Sequence, residues 1–300
     1  MLDIGILLSL ILGTIRCMIP LLFGAVGEII TERAGIINIG IEGIMLLSAF
    51  NAAYGSWKTG NPYYGLLLGL FTGVILGLIY GYLSVKVRAI QVVLGLGLLT
   101  LAMGLTETLT IIVWKTFGYG RAVERLPALY TLATGERISY FLPISLIMAV
   151  AAWFLLYKTK YGLRLRACGE SAFAADAAGI NVYKYRILAT TLGAIYFALA
   201  GVYLSIDWNN IFIRMITGGR GWIALALVIF VRWNPLLAIA GSIFFGFFDE
   251  IQFWVSTSLQ TGIPTQLPKM IPYIVTVIVI AIFGVKVRGP AEAGKPYIKE

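Results

Sequence analysis

Apolar residues run along this chain in long blocks broken by short polar segments. Nine blocks stand out, at 15–31, 36–56, 64–85, 91–114, 139–157, 187–206, 220–231, 235–257 and 270–287. Most approach the ~20 apolar residues that a helix needs to cross a bilayer. The seventh is short and begins at Gly218, Gly219 and Gly221. Short, glycine-interrupted segments in transporters mark broken helices. Residues 1–14 are also apolar, and either form an interfacial helix or lengthen the first span. The predicted fold is an all-α polytopic membrane protein with about nine transmembrane helices, within bounds of eight and ten. It has one broken or re-entrant segment and a single domain over 1–300.

Composition strengthens that reading. The 300 residues are 59% hydrophobic and 12% charged. A soluble domain carries about 25% charged residues, so an ordinary water-soluble fold is excluded. Intrinsic disorder is excluded too, because it needs low hydrophobicity. The net charge is +9, but the basic residues sit between apolar blocks and reflect topology, not nucleic-acid binding. The segments 27–34, 86–90, 158–186, 232–234 and the tail from 286 hold 14 Lys and Arg, against 8 in the opposite set of connections. This bias puts the 158–186 loop and the C-terminus in the cytoplasm and, with nine spans, the N-terminus outside. Residues 1–15 contain Asp3 and no Lys or Arg, which does not match a secretory signal.

Histidine is absent. That removes the Ser-His-Asp triad, a His general base and His-ligated metal sites, so no catalytic and no metal site is expected. Cys17 and Cys168 lie far apart in unlike surroundings and read as unpaired thiols. Residues 289–296 fit the first seven positions of a phosphate-binding loop, but Pro296 stands where a Ser or Thr must reach magnesium. No strand precedes it, so this chain hydrolyses no ATP itself.

Polar residues inside the apolar blocks are costly and line a cavity or pair with a partner. Asn38 and Glu42 are four apart and share a helix face, beside an interruption expected at Gly35, Gly40 and Gly43. They read either as part of a solute path or as a buried hydrogen-bond knot. Gln91 reads equally as a path residue or as an interfacial one, following Lys86 and Arg88. Glu107 lies toward the outer end of its span, where water can reach it. Asp249 and Gln252 share a face in the eighth block, as a proton relay, a helix-to-helix contact or a vestibule lining. Gly65, Gly69, Gly73, Gly77 and Gly81 recur every fourth residue. They form a ridge on which another backbone can pack closely, either as a static seam or as a moving interface.

The longest cytoplasmic loop, 158–186, contains an alanine-rich run, Ala172, Ala174, Ala175, Ala177 and Ala178, ending at Gly179. This predicts a smooth helix of about ten residues outside the membrane. It reads as a docking helix for another protein or as a plain linker.

Residues 27–46, GEIITERAGIINIGIEGIML, resemble the early signature of bacterial permeases of ATP-binding-cassette importers. The group is the branched-chain amino acid and simple-sugar one, and the resemblance is nearest to its nucleoside (riboside) uptake branch. The stretch from Gly162 through Gly169 and Glu170 to Gly179-Ile180 is similar to the cytoplasmic coupling segment of that group. Gly219-Arg-Gly-Trp222 with Trp233-Asn-Pro235 resembles its later signature. Gln91-Val-Val with Gly95 and the tail Gly294–Glu300 also fit. Sugar permeases of the group often carry one more N-terminal span, and its absence would account for an odd span count.

The resemblance implies a division of labour. This chain forms a path for a small polar solute, a nucleoside in that branch of the group, and is not an enzyme. It binds no cofactor; ATP and Mg sit on partner ATPases. The implied partners are a second permease subunit in a heterodimer, two ATP-binding-cassette ATPases and an extracytoplasmic solute-binding protein or lipoprotein. The implied location is the bacterial cytoplasmic (inner) membrane, multi-pass, with a cytoplasmic tail at 288–300. Path candidates are Asn38, Glu42, Gln91, Trp222 and Asp249. Coupling candidates are Gly169, Glu170, Ala174, Ala175 and Gly179. The alternatives are the same role for a simple sugar or a branched-chain amino acid, or an ion-coupled secondary transporter using Glu42, Glu107 or Asp249.

Overall fold

In a computed structural model, residues 4–131, 137–258, 267–283 and 288–298 are described. The chain is built from helices α1 (Ile4–Arg33), α2 (Ile41–Thr59), α3 (Pro62–Val85), α4 (Gln91–Trp114), α5 (Phe141–Lys158), α6 (Lys160–Glu170), α7 (Ala172–Ala177), α8 (Val182–Val202), α9 (Arg220–Phe230), α10 (Pro235–Ser258) and α11 (Ile271–Phe283). A small antiparallel hairpin, β1 (Ala128–Thr131) and β2 (Arg137–Ser139), joins α4 to α5. The expectation of an all-helical chain is corrected there. Pairing backbone groups in a short connection serves the same need that helices serve elsewhere.

Six helices among the described residues are long and apolar enough to cross a membrane: 7–33, 62–85, 91–114, 141–158, 182–208 and 235–256. The nine expected blocks all carry helix, but three fall short of a span by this measure. Helix α9 and the stretch 268–282 are short, and the expected end of the last block at 287 lies outside the described residues. Helix α2 fails on composition, and its position explains why. Residues 41–50 are all buried, between α3, α4 and α8. A helix shielded from lipid by protein can carry Glu42 and Ser48 without facing hydrocarbon. The outer faces tell the opposite story. Leu67, Val93, Ile147 and Val277 are each more than 60% exposed, as suits side chains meeting lipid.

Residues 4–14 continue the first helix and do not form a separate one. From Ile4 to Arg33 α1 is one helix, about 45 Å long. The interruption expected after it occurs at 34–40, where Gly35 takes φ +93°. Gly43 instead lies inside α2, against the α4 backbone.

The glycine ridge of α3 meets α8. A Cβ on Gly69, Gly73 or Gly77 would fall 2.4–2.5 Å from Val202, Ala198 and Ala194 respectively. These partners descend by four as the glycines ascend by four, so the helices run antiparallel with backbones in near contact. Gly65 makes the same approach to Ala52 of α2. The ridge faces protein, whereas Leu67, Phe71, Leu78 and Tyr82 on other sides of the helix are exposed.

The alanine-rich segment is two helices, not one of about ten residues. Ser171 is extended (φ −153°, ψ 102°) and its hydroxyl accepts from the Ala174 N–H, starting α7 afresh after α6. Gly179, at φ +80°, ends the segment as expected. The C-terminal residues 288–298 lie on this same end of the molecule.

Candidate functional site

The interrupted segment ahead of α9 is where buried charge collects. After α8 the chain makes a π-helical turn at Tyr203–Trp208 and then irregular turns to Gly218 and Gly219, both left-handed (φ +56° and +81°). Helix α9 starts abruptly at Arg220. The first N–H groups of any helix lack internal partners, and the helix dipole makes that end positive. Here the Glu42 carboxylate of α2 supplies what is missing. Its Oε1 accepts from Gly219 N–H at 2.8 Å and its Oε2 from Gly221 N–H at 2.7 Å. Glycine at 221 permits the approach, since a Cβ there would sit 2.5 Å from the carboxylate and 3.0 Å from the α2 backbone.

One residue into α9, Arg220 is buried and pairs with the buried Asp249 of α10. Its Nε and Nη2 each lie 2.9 Å from Asp249 Oδ2. The guanidinium carbon also stands 4.8 Å from the Trp208 ring and 5.7 Å from Phe253. A cation between aromatic faces and beside a carboxylate is fixed in orientation. This arrangement forms the floor of a cavity of about 530 Å³, whose walls include Trp208, Gln252, Phe253, Lys269 and Tyr273. The Tyr273 hydroxyl donates to the Gly218 carbonyl at 3.0 Å, bringing α11 onto the same turn.

Of the five path candidates, Glu42 and Asp249 therefore meet, through Arg220. Asn38 and Gln91 meet elsewhere, at the 34–40 turn. Gln91 Oε1 accepts from Ile37 N–H at 2.8 Å, and Glu28 Oε1 accepts from Asn38 N–H at 2.8 Å. The Asn38 side chain accepts from Gly40 N–H at 3.1 Å. The Tyr80 hydroxyl lies 2.9 Å from the carbonyls of Ile37 and Gln91. These groups satisfy backbone left unpaired by the turn. Trp222 is half-buried on the first turn of α9 and is not among the residues lining the cavity. Glu107, expected to be solvated, forms an ion pair with Arg214 at 2.5 Å.

Sequence reasoning missed Arg220, Trp208, Phe253 and Tyr273. Arg220 carried a usable signal: a charge opening an apolar block costs as much as Asp249 does, and the two need each other. The aromatic residues carried none, being three among many.

At the other end of the bundle, the coupling candidates divide. Gly169 is buried, and a Cβ on it would strike the Arg33 carbonyl at 2.2 Å. Ala175 is buried in a small cluster with Cys168, Ala172, Val182 and Tyr297. Glu170, Ala174 and Gly179 are exposed, and Glu170 faces Arg33 at 3.9 Å. The tail ties this region together. Glu292 N–H donates to the Gly169 carbonyl at 2.9 Å, and Gly294 N–H to the Gly35 carbonyl at 3.2 Å. The buried Arg186 donates to the carbonyls of Lys295 and Cys168 at 3.0 and 3.1 Å and sits 3.7 Å from Glu292. The stretch 289–296 is thus a packing segment with a turn at 291–294.

The family described as branched-chain amino acid transport system / permease component matches residues 10–280. The chain belongs to this family. Its members are permease components, and this chain is accordingly a membrane permease subunit, not an enzyme. It is 31% identical over 316 residues to the guanosine ABC transporter permease protein NupQ of Bacillus subtilis, covering 99% of each chain. It is 32% identical over 301 residues to the nucleoside ABC transporter permease protein NupC of Lactococcus lactis subsp. cremoris, covering 93% of each. A Haloferax volcanii protein provisionally named a glucose ABC transporter permease, TsgC13, is 33% identical over 254 residues, covering 81% of this chain and 77% of that one. Among the described residues no group of His, Cys, Asp and Glu is placed to hold a metal, and both cysteines are free.

Proposed function

We propose that this permease forms half of the path of an ATP-binding-cassette importer for nucleosides. The observation that carries the substrate class is the similarity to a guanosine and a nucleoside permease along nearly the full length of all three chains. The chemistry of the cavity agrees. Trp208, Phe253 and Tyr273 offer faces for a base, while Gln252, Asp249 and Arg220 offer partners for hydroxyls. The cavity is open, as suits a path completed by a second permease subunit in a heterodimer. Glu42, Arg220 and Asp249 are its fixed polar groups; Asn38, Gln91 and Trp222 act on it through the turn and through α9.

In this reading all nine apolar blocks reach the membrane, with α9 as the broken segment. The 158–186 loop and the tail lie in the cytoplasm of a bacterial cell. Two ATPase subunits hold ATP and Mg there and dock on the exposed side of α6–α7, at Glu170, Ala174 and Gly179. Gly169 and Ala175 serve by seating that segment. A solute-binding protein delivers the nucleoside from outside. Closure of the ATPases moves α6–α7, and with them the 34–40 turn and α2, whose Glu42 holds α9. ATP turnover so shifts the population between inward- and outward-open states.

The test is uptake of labelled guanosine, adenosine, uridine, ribose and leucine, with and without this gene and with and without the cognate ATPase. Loss of nucleoside uptake alone in both deletions is expected. Loss of ribose or leucine uptake instead reassigns the solute within the family. Uptake that survives loss of the ATPase refutes the coupling.

A further inference from the structure

Two glutamates stand one turn apart on α1, at the end of the bundle that carries α6 and α7. Glu28 is fully buried and Glu32 is 5% exposed. Residues four apart share a helix face, and here the two carboxyl groups lie within hydrogen-bonding reach of each other. Their other hydrogen-bond donors are neutral. Glu28 Oε1 accepts from Asn38 N–H at 2.8 Å, and Glu32 Oε2 accepts from the Trp233 indole N–H. Glu28 Oε2 is buried without an N–H or O–H donor, and the side-chain Nδ2 of Asn38 is likewise buried and unpaired.

Among the described residues no cation is ion-paired with either carboxyl. Arg33, next along α1, donates to the Tyr157 hydroxyl of α5 at 3.1 Å and faces Glu170 of α6 at 3.9 Å, so its charge reaches Glu32 only through space. Arg166 of α6 donates to the Leu156 carbonyl at 3.0 Å. Arg186 of α8 is taken up by the carbonyls of Lys295 and Cys168 and by Glu292. From α3 the phenol of Tyr80 faces Glu28. The charged residues of α9 and α10, namely Arg220, Asp249 and Glu250, lie toward the opposite ends of those helices. Two buried carboxylates in contact, supplied by neutral donors alone, would be poorly compensated and would repel. A hydrogen bond between two acceptor groups also needs a proton, and Glu28 Oε2 is an atom left free to hold it.

We propose that Glu28 and Glu32 form a proton-binding site, one proton shared between the two carboxyl groups, which fastens α1 to the two turns that they hold. One is the 34–40 turn, through Asn38. The other joins α9 to α10, where Arg232 and Trp233 both take left-handed backbone (φ +53° and +56°), a conformation that side chains of that size rarely adopt. With the proton in place the pair carries a single negative charge. Its loss puts two like charges one helical turn apart, so both turns loosen as pH rises. If the 34–40 turn moves in the ATP cycle, the proton leaves as the turn opens to water and returns as it closes. That link rests on the function proposed above; the proton site does not.

The test is infrared difference spectroscopy on the full-length chain in detergent, native against Glu28→Gln and native against Glu32→Gln. At pH 7 an exposed glutamate is protonated in only about one molecule in 500, so a carboxylic-acid C=O band at that pH reports a bound proton. Each change should remove the same band, because the amide it introduces donates an N–H in place of the shared proton and leaves the surviving carboxyl ionised. Glu32→Asp keeps a carboxyl in place and should keep the band, which separates loss of the proton from loss of the fold. Between about pH 7 and 9.5 the melting temperature of the native chain should fall by about 3 °C more than that of either Gln variant. Loss of the band in one Gln variant alone assigns a lone protonated carboxyl and overturns the sharing. No difference band in either means two carboxylates and overturns the site. Loss in both without the excess fall in melting temperature overturns the fastening of the turns. None of these readouts depends on the solute carried.

Discussion

Glu42 and Arg220 show how buried charges can hold the start of a helix in place. Glu42 holds two N–H groups at the start of α9, and hydrogen bonds to an ionised group contribute about 1.5–3 kcal/mol each. Glu42→Gln keeps one acceptor and loses the charge. The expected result is normal membrane insertion with nucleoside uptake lowered several-fold, and unchanged uptake kinetics would reduce Glu42 to a tolerated polar group. Arg220→Met alone strands the Asp249 carboxylate, and Asp249→Leu alone strands the guanidinium. Each is expected to cost about 3–5 kcal/mol. The double change removes both charges at once, so the loss of thermal stability in detergent should be well below the sum of the single losses while uptake stays low. A double loss equal to the sum of the single losses would show that the two residues are not coupled. Asn38 and Glu42 were legible in the sequence because polar groups in apolar blocks are expensive. Their separate duties, one at a turn and one at a helix end, were not, because helical spacing ends where Gly35 breaks the helix.

The element most legible in the sequence was α3, whose five glycines at intervals of four announce a close-packed ridge. The partner was not legible, because Ala194, Ala198 and Val202 of α8 carry no comparable signal. Gly77→Leu is expected to prevent tight α3–α8 packing, since its first added carbon already meets Ala194 at 2.5 Å, beyond the 1–3 kcal/mol typical of overpacking (about that range as a lower limit). Gly97→Leu in α4 meets nothing within 4 Å and serves as the matched control. Size-exclusion profiles after heating should separate the two; similar profiles would mean that the ridge is not tightly held. Helices α6 and α7 give the contrasting case. Alanine content predicted helix correctly but merged two elements, since the extended Ser171 between them is a local hydrogen-bond choice. The division also sharpens a test of docking. Ala174→Arg lies on the exposed side and should leave the subunit folded while uncoupling ATP hydrolysis from uptake. Ala175→Arg puts a charge into the buried cluster and should destabilise the segment. Normal substrate-stimulated ATPase activity and uptake in Ala174→Arg would remove the docking role from this face.

Across the whole molecule the two ends are built differently. One end is open, with the Arg220 floor and the loose turns of 209–219 under it. The other is laced by residues distant in sequence: Gly35, Gly169, Arg186 and the tail at 292–297 all share backbone hydrogen bonds or the Arg186 fork. Charge counts identified that end by its arginines, but not that one of them, Arg186, is buried as a clasp. The clasp joins the three parts that must move together if ATP is to open the path: α6–α7, the 34–40 turn that leads to Glu42, and the head of α8. Cys168 reports on it. The thiol is buried beneath the tail, and burial pushes it up to about 11, against about 8.5 for an exposed cysteine. At pH 8 the thiolate fraction is then about one in a thousand instead of about one in four, and alkylation by iodoacetamide should be about two orders of magnitude slower than for a free thiol. In a Cys17→Ala background, Tyr297→Ala or removal of residues 289–300 should uncover Cys168, lower its pKa toward the ordinary value and restore fast alkylation. If the clasp couples rather than merely covers, the same truncation should leave basal ATPase activity in the assembled importer and abolish its stimulation by solute. Fast alkylation in the intact chain would show that the tail does not seat on Cys168. Retained stimulation after truncation would leave the coupling to α6–α7 and the 34–40 turn alone.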